Sequence, residues 1–483
     1  MAFDFGDVPK HPSQPNAPRQ MRQRVIDALS TYVLSAPAVP INVTCAAPSS
    51  YTELRDDDCT ANDRHTGLLS GKRLDRPRKM VDMFYFGFDL DTAEVRFNEL
   101  RHAVDWFVVG ESRMTSTGRS KPLLMTRALQ DPEWFGDLRD RIISIELPES
   151  VMRRKYENSK ACQEDGQDCW EPQMWARNEI VKRFLQLNEE MDHKYVSLPE
   201  DLVFMSDPDE IPAGEVMKLV KHCELTKPLQ DAALVLISWA GNFNIVFTKM
   251  MDMRPLISRL PHASAPRGML VPFEMVRSRR MYFYRRQVQP KLYGGWHITD
   301  YNFIPFLFVK YSSYGDSRGR ILRSESCMAD ALFGDPPDEL PSDLQANLNK
   351  PLSDTGLRDL EALRLANLAT ARSPSWKPPR ALFNEMAARL VWAQRRLYTE
   401  GYSRQFLNKG RYERKHELGE KYDKLKRREL PWFVKCNPHR FPVLFGNADP
   451  RYFQEDRGQT FQDGQPSTVS SMEEWSLIMR WNR

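Results

Sequence analysis

At residues 202–212 the chain reads LVFMSDPDEIP, an apolar run that leads directly into an acidic turn. The turn places three carboxylates, those of Asp207, Asp209 and Glu210, within four residues, and two prolines stiffen its backbone. Carboxylates so close repel one another, and a divalent cation is a common way to make their proximity favourable. The stretch therefore predicts a site in which Asp207 and Asp209 bind Mn2+ or Mg2+, the cations that hard oxygen ligands favour.

The residues alone leave a second interpretation of this turn open. Carboxylates are also favourable beside a helix N-terminus, so the turn is compatible with a cap on a helix that begins near Ile211. Its position after an apolar strand favours the functional interpretation, because ligands of α/β sheets bind beyond the carboxyl ends of the strands.

Apolar runs alternate with amphipathic segments through the middle of the chain. Four more runs have the short, branched or aromatic composition of buried strands: residues 83–86, 106–109, 142–145 and 234–237. Apolar side chains at helical spacing mark two helices between them, one with Ala93, Phe97, Leu100 and Val104, the other with Ala176, Ile180, Phe184 and Leu187. This order predicts an α/β fold with a mostly parallel central sheet that helices cover on both faces.

Changes in composition divide the chain into four parts. Residues 1–77 are rich in Pro, Ser, Asp and Arg and predict an extended N-terminal arm with at most one short helix. Residues 78–330 hold the predicted catalytic domain. Residues 331–429 predict a helical insertion or extension, which includes a solvated helix of mixed charge over 411–429. The apolar segment within residues 430–483 is expected to pack on the catalytic domain.

Composition narrows the class of protein. The 483 residues carry 69 Lys and Arg against 65 Asp and Glu, and a net charge of +4 spread over a large surface is only weak support for a polyanionic partner. No run approaches the roughly 18–20 apolar residues of a spanning helix, and no export signal opens the sequence. Two cysteine pairs are near enough in sequence to be bridged, Cys45 with Cys59 and Cys162 with Cys169, and neither has the spacing of a zinc site.

Two further motifs carry candidate binding residues. Glu111 and Ser112 end an apolar strand and are candidates for binding a nucleoside, although a helix or turn cap explains Glu111 equally well. The second motif is Gly294-Gly295-Trp296-His297, in which the glycines allow close backbone approach, Trp296 offers a stacking face and His297 can bind a metal. Core packing is the alternative for this motif.

Several motifs together resemble glycosyltransferase family 17, which contains the beta-1,4-mannosyl-glycoprotein N-acetylglucosaminyltransferases. The resemblance runs over most of residues 78–310 and a short closing stretch, and its motifs are the following: residues 78–84, 94–100 and 104–105, then Glu111-Ser112 with Lys121, Trp175 with Arg177, residues 206–212 and 295–297, and Pro431-Trp432-Phe433. The acidic string of residues 207–212 is the most diagnostic of them.

The resemblance implies a fold of the GT-A type and an inverting transfer of N-acetylglucosamine from UDP-N-acetylglucosamine to a mannose-containing N-glycan, with a divalent metal. Animal members of the family act in the Golgi lumen from a membrane anchor. The resemblance therefore implies a location in the secretory pathway. Because this sequence shows no anchor or export signal, a cytoplasmic location remains an alternative.

These roles are expected at named residues. We expect Asp207, Asp209 and His297 at the metal, Glu210 as a candidate base, and Trp296 against the acceptor. Arg177 is expected to meet either a donor phosphate or a structural carboxylate, because it follows an apolar helical position and reaches the strand ends. Two neighbouring charged residues, Arg96 and Glu99, are expected to pair within the fold or at the sheet edge.

Two other functions compete with this one. A metal-dependent phosphoesterase would use the same carboxylates but needs further ligands for a second metal. A non-enzymatic nucleic-acid-binding protein would instead use the basic C-terminal region.

Overall fold

The structure is a computed structural model that describes residues 46–60, 69–130, 135–163, 169–226, 232–240, 245–247, 269–273, 276–277, 291–299, 412–414 and 430–437. Its elements, in chain order, are α1 (Ser49–Thr52), β1 (Leu69–Arg73), β2 (Met80–Tyr85), α2 (Leu90–Leu100), β3 (Trp106–Ser112), α3 (Leu124–Gln130), β4 (Ile142–Leu147), α4 (Glu149–Asn158), α5 (Lys160–Gln163), α6 (Glu171–Glu190), β5 (Leu202–Ser206), β6 (Glu210–Pro212), α7 (Gly214–His222), β7 (Cys223–Leu225), β8 (Ala232–Ala240), β9 (Ile245–Phe247), β10 (Met269–Pro272), β11 (Lys291–Thr299), β12 (Tyr412–Arg414) and α8 (Trp432–Cys436). All five predicted strands and both predicted helices are present, which confirms the α/β class.

Four parallel strands form one half of the main sheet, in the order β5-β2-β3-β4. The other half is mixed. Strand β10 lies antiparallel between β5 and β8, so β8 is not a direct neighbour of the parallel strands. Strand β11 then runs parallel to β8 and antiparallel to β6. The prediction of a mostly parallel sheet is therefore confirmed for the four strands that lead to the acidic turn.

Helices cover both faces of the parallel half, which explains why β2 is buried along its whole length. Successive strand residues point to opposite faces. Val81, Met83 and Tyr85 join the core that α6 covers. Phe84 points the other way, and its ring centroid lies 5.8 Å from that of Phe97 on α2.

Helix α7 does not begin near Ile211, so the turn does not cap it as the alternative interpretation proposed. Ile211 lies in β6, and α7 starts at Gly214. The N–H of Gly214 donates instead to Glu99 Oε1 over 3.2 Å. A Cβ at this glycine would stand 2.2 Å from the carbonyl oxygen of Glu99, so only glycine permits the close approach.

The described part of the N-terminal arm is attached to the domain. Strand β1 pairs with β7, and Cys59 forms a disulfide with Cys223. The predicted Cys45–Cys59 pairing is therefore wrong, because β1 and β7 bring a partner from far along the chain; the predicted Cys162–Cys169 disulfide is confirmed. Lys218 on α7 also donates to the carbonyl oxygens of Ser50 and Glu53.

The last described segment, residues 430–437, packs against α2. Trp432, Phe433 and Val434 are buried, and the N–H of Trp432 donates to Glu99 Oε2 over 3.2 Å.

Residues 412–414 do not form the helix predicted over 411–429. They form β12, which pairs with β9. The prediction is wrong there because pairing with a sheet edge prevails over the local helical pattern. The rest of the helical region predicted over residues 331–429 lies outside the described residues.

Candidate active site at the acidic turn

The acidic turn lies between β5 and β6, beyond the carboxyl end of the parallel strands. Its backbone is closed by two hydrogen bonds: the N–H of Glu210 donates to the carbonyl of Asp207 over 3.0 Å, and the N–H of Asp207 donates to Glu210 Oε2 over 3.1 Å. This closure turns the side chains of Asp207 and Asp209 towards different neighbours.

The buried guanidinium of Arg96, on α2, holds the turn in place. Its Nε and Nη2 donate to the two carboxylate oxygens of Asp82 over 2.7 and 2.6 Å. Nη2 also donates to Ser206 Oγ over 2.7 Å. Nη1 donates to the carbonyl oxygens of Asp207 and Glu210 over 2.8 and 2.9 Å. All five N–H donors of a guanidinium can thus be accounted for, and three of them fix the turn.

Asp209 faces His297, which lies on the neighbouring strand β11. The register of β6 and β11 sets Glu210 opposite His297, and the N–H of Ile298 donates to the Asp209 carbonyl over 2.9 Å. His297 Nε2 and Asp209 Oδ2 lie 3.5 Å apart, and both side chains remain slightly exposed. The sheet therefore brings together two predicted metal ligands that stand about 90 positions apart in the sequence.

Asp207 faces Arg177 on α6. The Arg177 Nη2 and Asp207 Oδ1 atoms form an ion pair, with Arg177 4% exposed and Asp207 18% exposed. Of the two partners predicted for Arg177, the structure shows the carboxylate, and that carboxylate belongs to the acidic turn.

The donor set fits one divalent cation at Asp209 and His297. Two ligand atoms that each lie about 2.1 Å from one cation stand roughly 3–3.5 Å apart, which matches the observed oxygen-to-nitrogen separation. Asp207 has an oxygen committed to Arg177. Within the described part of the chain, no group of three or more His, Cys, Asp or Glu side chains is arranged for a metal. The metal roles of Asp207, Asp209 and His297 remain predictions.

Glu210, the candidate base, is only 1% exposed, and its carboxylate accepts from the turn's own backbone. This geometry supports a role in holding the turn. The predicted role as base has no support from its position.

Glu111 acts as a cap on another element. Its carboxylate accepts from the N–H groups of Met125 and Thr126 at the start of α3 and pairs with the buried Lys121 Nζ over 2.9 Å. Burial lowers the pKa of Lys121, and the neighbouring Glu111 carboxylate opposes that shift. Ser112 Oγ accepts from the N–H of Met114 over 3.2 Å. These contacts favour the cap interpretation, and donor binding by Glu111 and Ser112 remains a prediction.

Trp296 is 1% exposed, so its ring offers no stacking face to an acceptor in this structure. Successive residues of β11 point to opposite faces of the sheet, so the register that turns His297 towards the acidic turn places Trp296 in the core. The core-packing alternative therefore fits Trp296.

Sequence reasoning placed Arg96 correctly within the fold but missed its connection to the site. The signal was Asp82, a carboxylate in the middle of an apolar parallel strand. A charge in such a strand requires a buried partner, and a search for that partner on the following helix leads to Arg96.

The part of the chain that carries the acidic turn also resembles known proteins. Residues 51–234 match the model of glycosyltransferase family 17. The predicted resemblance to family 17 is confirmed. The matched range contains Arg96, Arg177 and the acidic turn, whereas His297 lies beyond it.

Curated relatives agree with the family 17 match. The chain is 26% identical over 145 residues to the beta-1,4-mannosyl-glycoprotein 4-beta-N-acetylglucosaminyltransferases of Rattus norvegicus and Homo sapiens. The aligned part covers 30% of this chain and 24% of each relative, so the chain spans about a quarter of the length of the relatives it matches. No solved structure matches the chain. No helix in the described ranges is long and apolar enough to cross a membrane.

Proposed function

We propose that this protein is a metal-dependent, inverting glycosyltransferase with a GT-A-type domain, which moves N-acetylglucosamine from UDP-N-acetylglucosamine to a mannose-containing glycan. The observation that carries the proposal is the acidic turn, which lies beyond the parallel strands and meets His297 from the next strand within 3.5 Å of Asp209. The family 17 match and the activity that the relatives are named for support the sugar and acceptor classes.

The geometry supports separate tasks for the residues at the turn. Asp209 and His297 would hold a divalent cation, which neutralises the charge of the departing diphosphate when it is bound. Arg96 and Glu210 hold the turn in place, so that little reorganisation is needed during the reaction. The acceptor hydroxyl oxygen bonds to the anomeric carbon, the bond from that carbon to the diphosphate breaks, UDP leaves with the electron pair, and the hydroxyl proton passes to a base.

Disulfides support a place in the secretory pathway. Cys59–Cys223 and Cys162–Cys169 are both bridged, and disulfides persist mainly in oxidising compartments. We therefore favour the lumen of that pathway over the cytoplasm.

The test is incubation of the full chain with Mn2+, a panel of UDP-sugars and a mannose-terminated glycan, with UDP release and acceptor mass both measured. We expect UDP-N-acetylglucosamine alone to give acceptor-dependent UDP release and an acceptor heavier by one N-acetylhexosamine. Asp207→Ala and Asp209→Ala should each lower the rate on the order of a thousandfold in folded protein. His297→Ala should raise the Mn2+ concentration needed for half-maximal activity.

Other outcomes would favour the rival functions. Phosphate release from phosphate esters without an acceptor would indicate a phosphoesterase. Salt-sensitive binding of RNA or DNA without any binding of UDP would indicate a nucleic-acid-binding protein.

A further inference from the structure

The pair of Arg177 and Asp207 places a fixed positive charge on the acidic turn that also carries Asp209, a predicted cation ligand. Helix α6 buries Ala176, Arg177 and Ile180 against the sheet, which anchors the backbone on both sides of the arginine. The guanidinium is more buried than the carboxylate that it meets. Arg177 therefore has little room to withdraw when another cation approaches the turn.

A divalent cation at this turn would meet two opposing influences. The carboxylates of Asp207 and Asp209 attract it, but Arg177 already neutralises part of the first charge and adds a positive charge to the same turn, which repels the cation. A diphosphate beside the turn reverses the balance, because its negative charges attract both the cation and the guanidinium.

We propose that Arg177 couples the two binding events, so that the turn binds a divalent cation weakly alone and tightly when a nucleoside diphosphate is present. This inference rests on the proposed use of a nucleotide-sugar donor. Coupling between two ligands is reciprocal, so the cation strengthens diphosphate binding by the same factor. The site thereby takes up its cation together with the donor.

The coupling is measured by titrating the full chain with Mn2+ in the absence and presence of saturating UDP. The ratio of the two affinities is the coupling factor, which we expect to be roughly tenfold or more in the wild type. Arg177→Gln should bind Mn2+ alone more tightly than the wild type does, and its coupling factor should fall by roughly tenfold. Arg177→Lys keeps the positive charge and should keep most of the coupling.

Arg183→Gln is the matched control. Arg183 lies on the same helix, is exposed, and pairs with Glu179 over 3.0 Å within that helix, so its loss should leave both Mn2+ affinities unchanged. An arginine with a purely structural role would not strengthen Mn2+ binding when it is removed. If Arg177→Gln does not fold, Arg177→Met fills the same space and serves for the measurement.

Two results would overturn the inference while the proposed function stands. One is a coupling factor in folded Arg177→Gln equal to that of the wild type. The other is an Arg177→Lys variant that loses coupling as completely as Arg177→Gln does. A wild type that binds neither Mn2+ nor UDP would overturn the proposed function and this inference with it.

Discussion

At the scale of single residues, the site depends on a buried charge that is not itself a candidate ligand. Arg96 joins Asp82, in the middle of β2, to the backbone of the acidic turn. Its guanidinium also stacks over Phe84, 4.7 Å from the ring centroid. Buried ion pairs often add little net stability, because desolvation offsets their attraction. We therefore interpret this pair as a device that fixes the position of the turn.

Replacing Arg96 by lysine should separate position from charge. The ammonium can still meet Asp82, but it has no planar fork to reach Ser206 and the turn carbonyls at the same time. We expect Arg96→Lys to lower kcat by roughly tenfold to a hundredfold and to weaken Mn2+ binding in protein that still folds. Steady-state kinetics and Mn2+ titration measure the two effects.

Arg101→Lys, beside the end of the same helix, is the control for Arg96→Lys. Arg101 pairs with the exposed Asp137 over 2.5 Å and should tolerate the change, because exposed ion pairs contribute little. Wild-type kinetics in Arg96→Lys would contradict the positioning role.

The residues of the site could be predicted from the sequence only in part. The acidic string and His297 stand out by residue type, and they lie together as expected. Trp296 stands out by the same criteria and is buried, because the face that a strand residue occupies depends on register with β6 and β8. Local sequence does not encode that register.

At the scale of elements, two disulfides differ in what they constrain. Cys59–Cys223 joins residues 164 apart and fixes the N-terminal arm to β7, whereas Cys162–Cys169 spans 7 residues. A longer loop loses more entropy in the unfolded chain when it is closed.

We expect the double change Cys59→Ser and Cys223→Ser to lower the free energy of unfolding by about 3 kcal/mol more than Cys162→Ser with Cys169→Ser does. Chemical denaturation of both variants under identical buffer conditions measures the difference. Equal losses would show that native contacts, and not loop closure, decide the effect.

Glu99 lies where α2, α7 and α8 meet. Burial raises the pKa of this carboxyl from 4.5 to about 7, although hydrogen bonds from Tyr51, Gly214 and Trp432 oppose the shift. Because the folded pKa lies above the unfolded one, the stabilisation by the protonated carboxyl is fully present below pH 4.5 and is lost as the pH rises through about 7.

We therefore expect the wild type to lose stability relative to Glu99→Gln as the pH rises from about 5 to about 8, because the amide does not ionise in this range. Thermal unfolding across that interval gives the difference. Glu190→Gln, an exposed position at the end of α6, should show no comparable trend. A constant difference between the wild type and Glu99→Gln would contradict the assignment.

At the scale of the whole molecule, the closing segment belongs to the core of the domain. Truncation before Leu430 removes three buried apolar side chains of α8 that pack against α2, and it leaves Glu99 Oε2 without its Trp432 partner. We expect the truncated chain to be insoluble or unstable. A stable, active truncation would contradict this view.

A point change in the full chain tests the same packing. Phe433→Ala should lower the free energy of unfolding by about 3–5 kcal/mol, whereas Lys435→Ala on the exposed side of α8 should change it by no more than about 0.5 kcal/mol. Chemical denaturation measures both effects.

The overall architecture could be predicted only where it follows local pattern. Apolar runs and helical spacing identified β2, α2, β3, β4, α6 and β5, because those elements bury the faces that their sequences mark. The antiparallel place of β10 and the pairing of residues 412–414 with β9 could not be predicted, since both depend on partners from distant parts of the chain. The Cys59–Cys223 disulfide escaped prediction for the same reason.

The hydrogen bond between Trp432 and Glu99 joins residues 333 positions apart, which has a consequence for biosynthesis. A ribosome that adds about 5–20 residues per second needs on the order of 20–60 s to cover that distance. Helix α2 carries Arg96, which holds the acidic turn, and Glu99, which gains its hydrogen bond from Trp432 only after α8 has been synthesised. The nascent protein must therefore keep the apolar surface of α2 from aggregating throughout that interval.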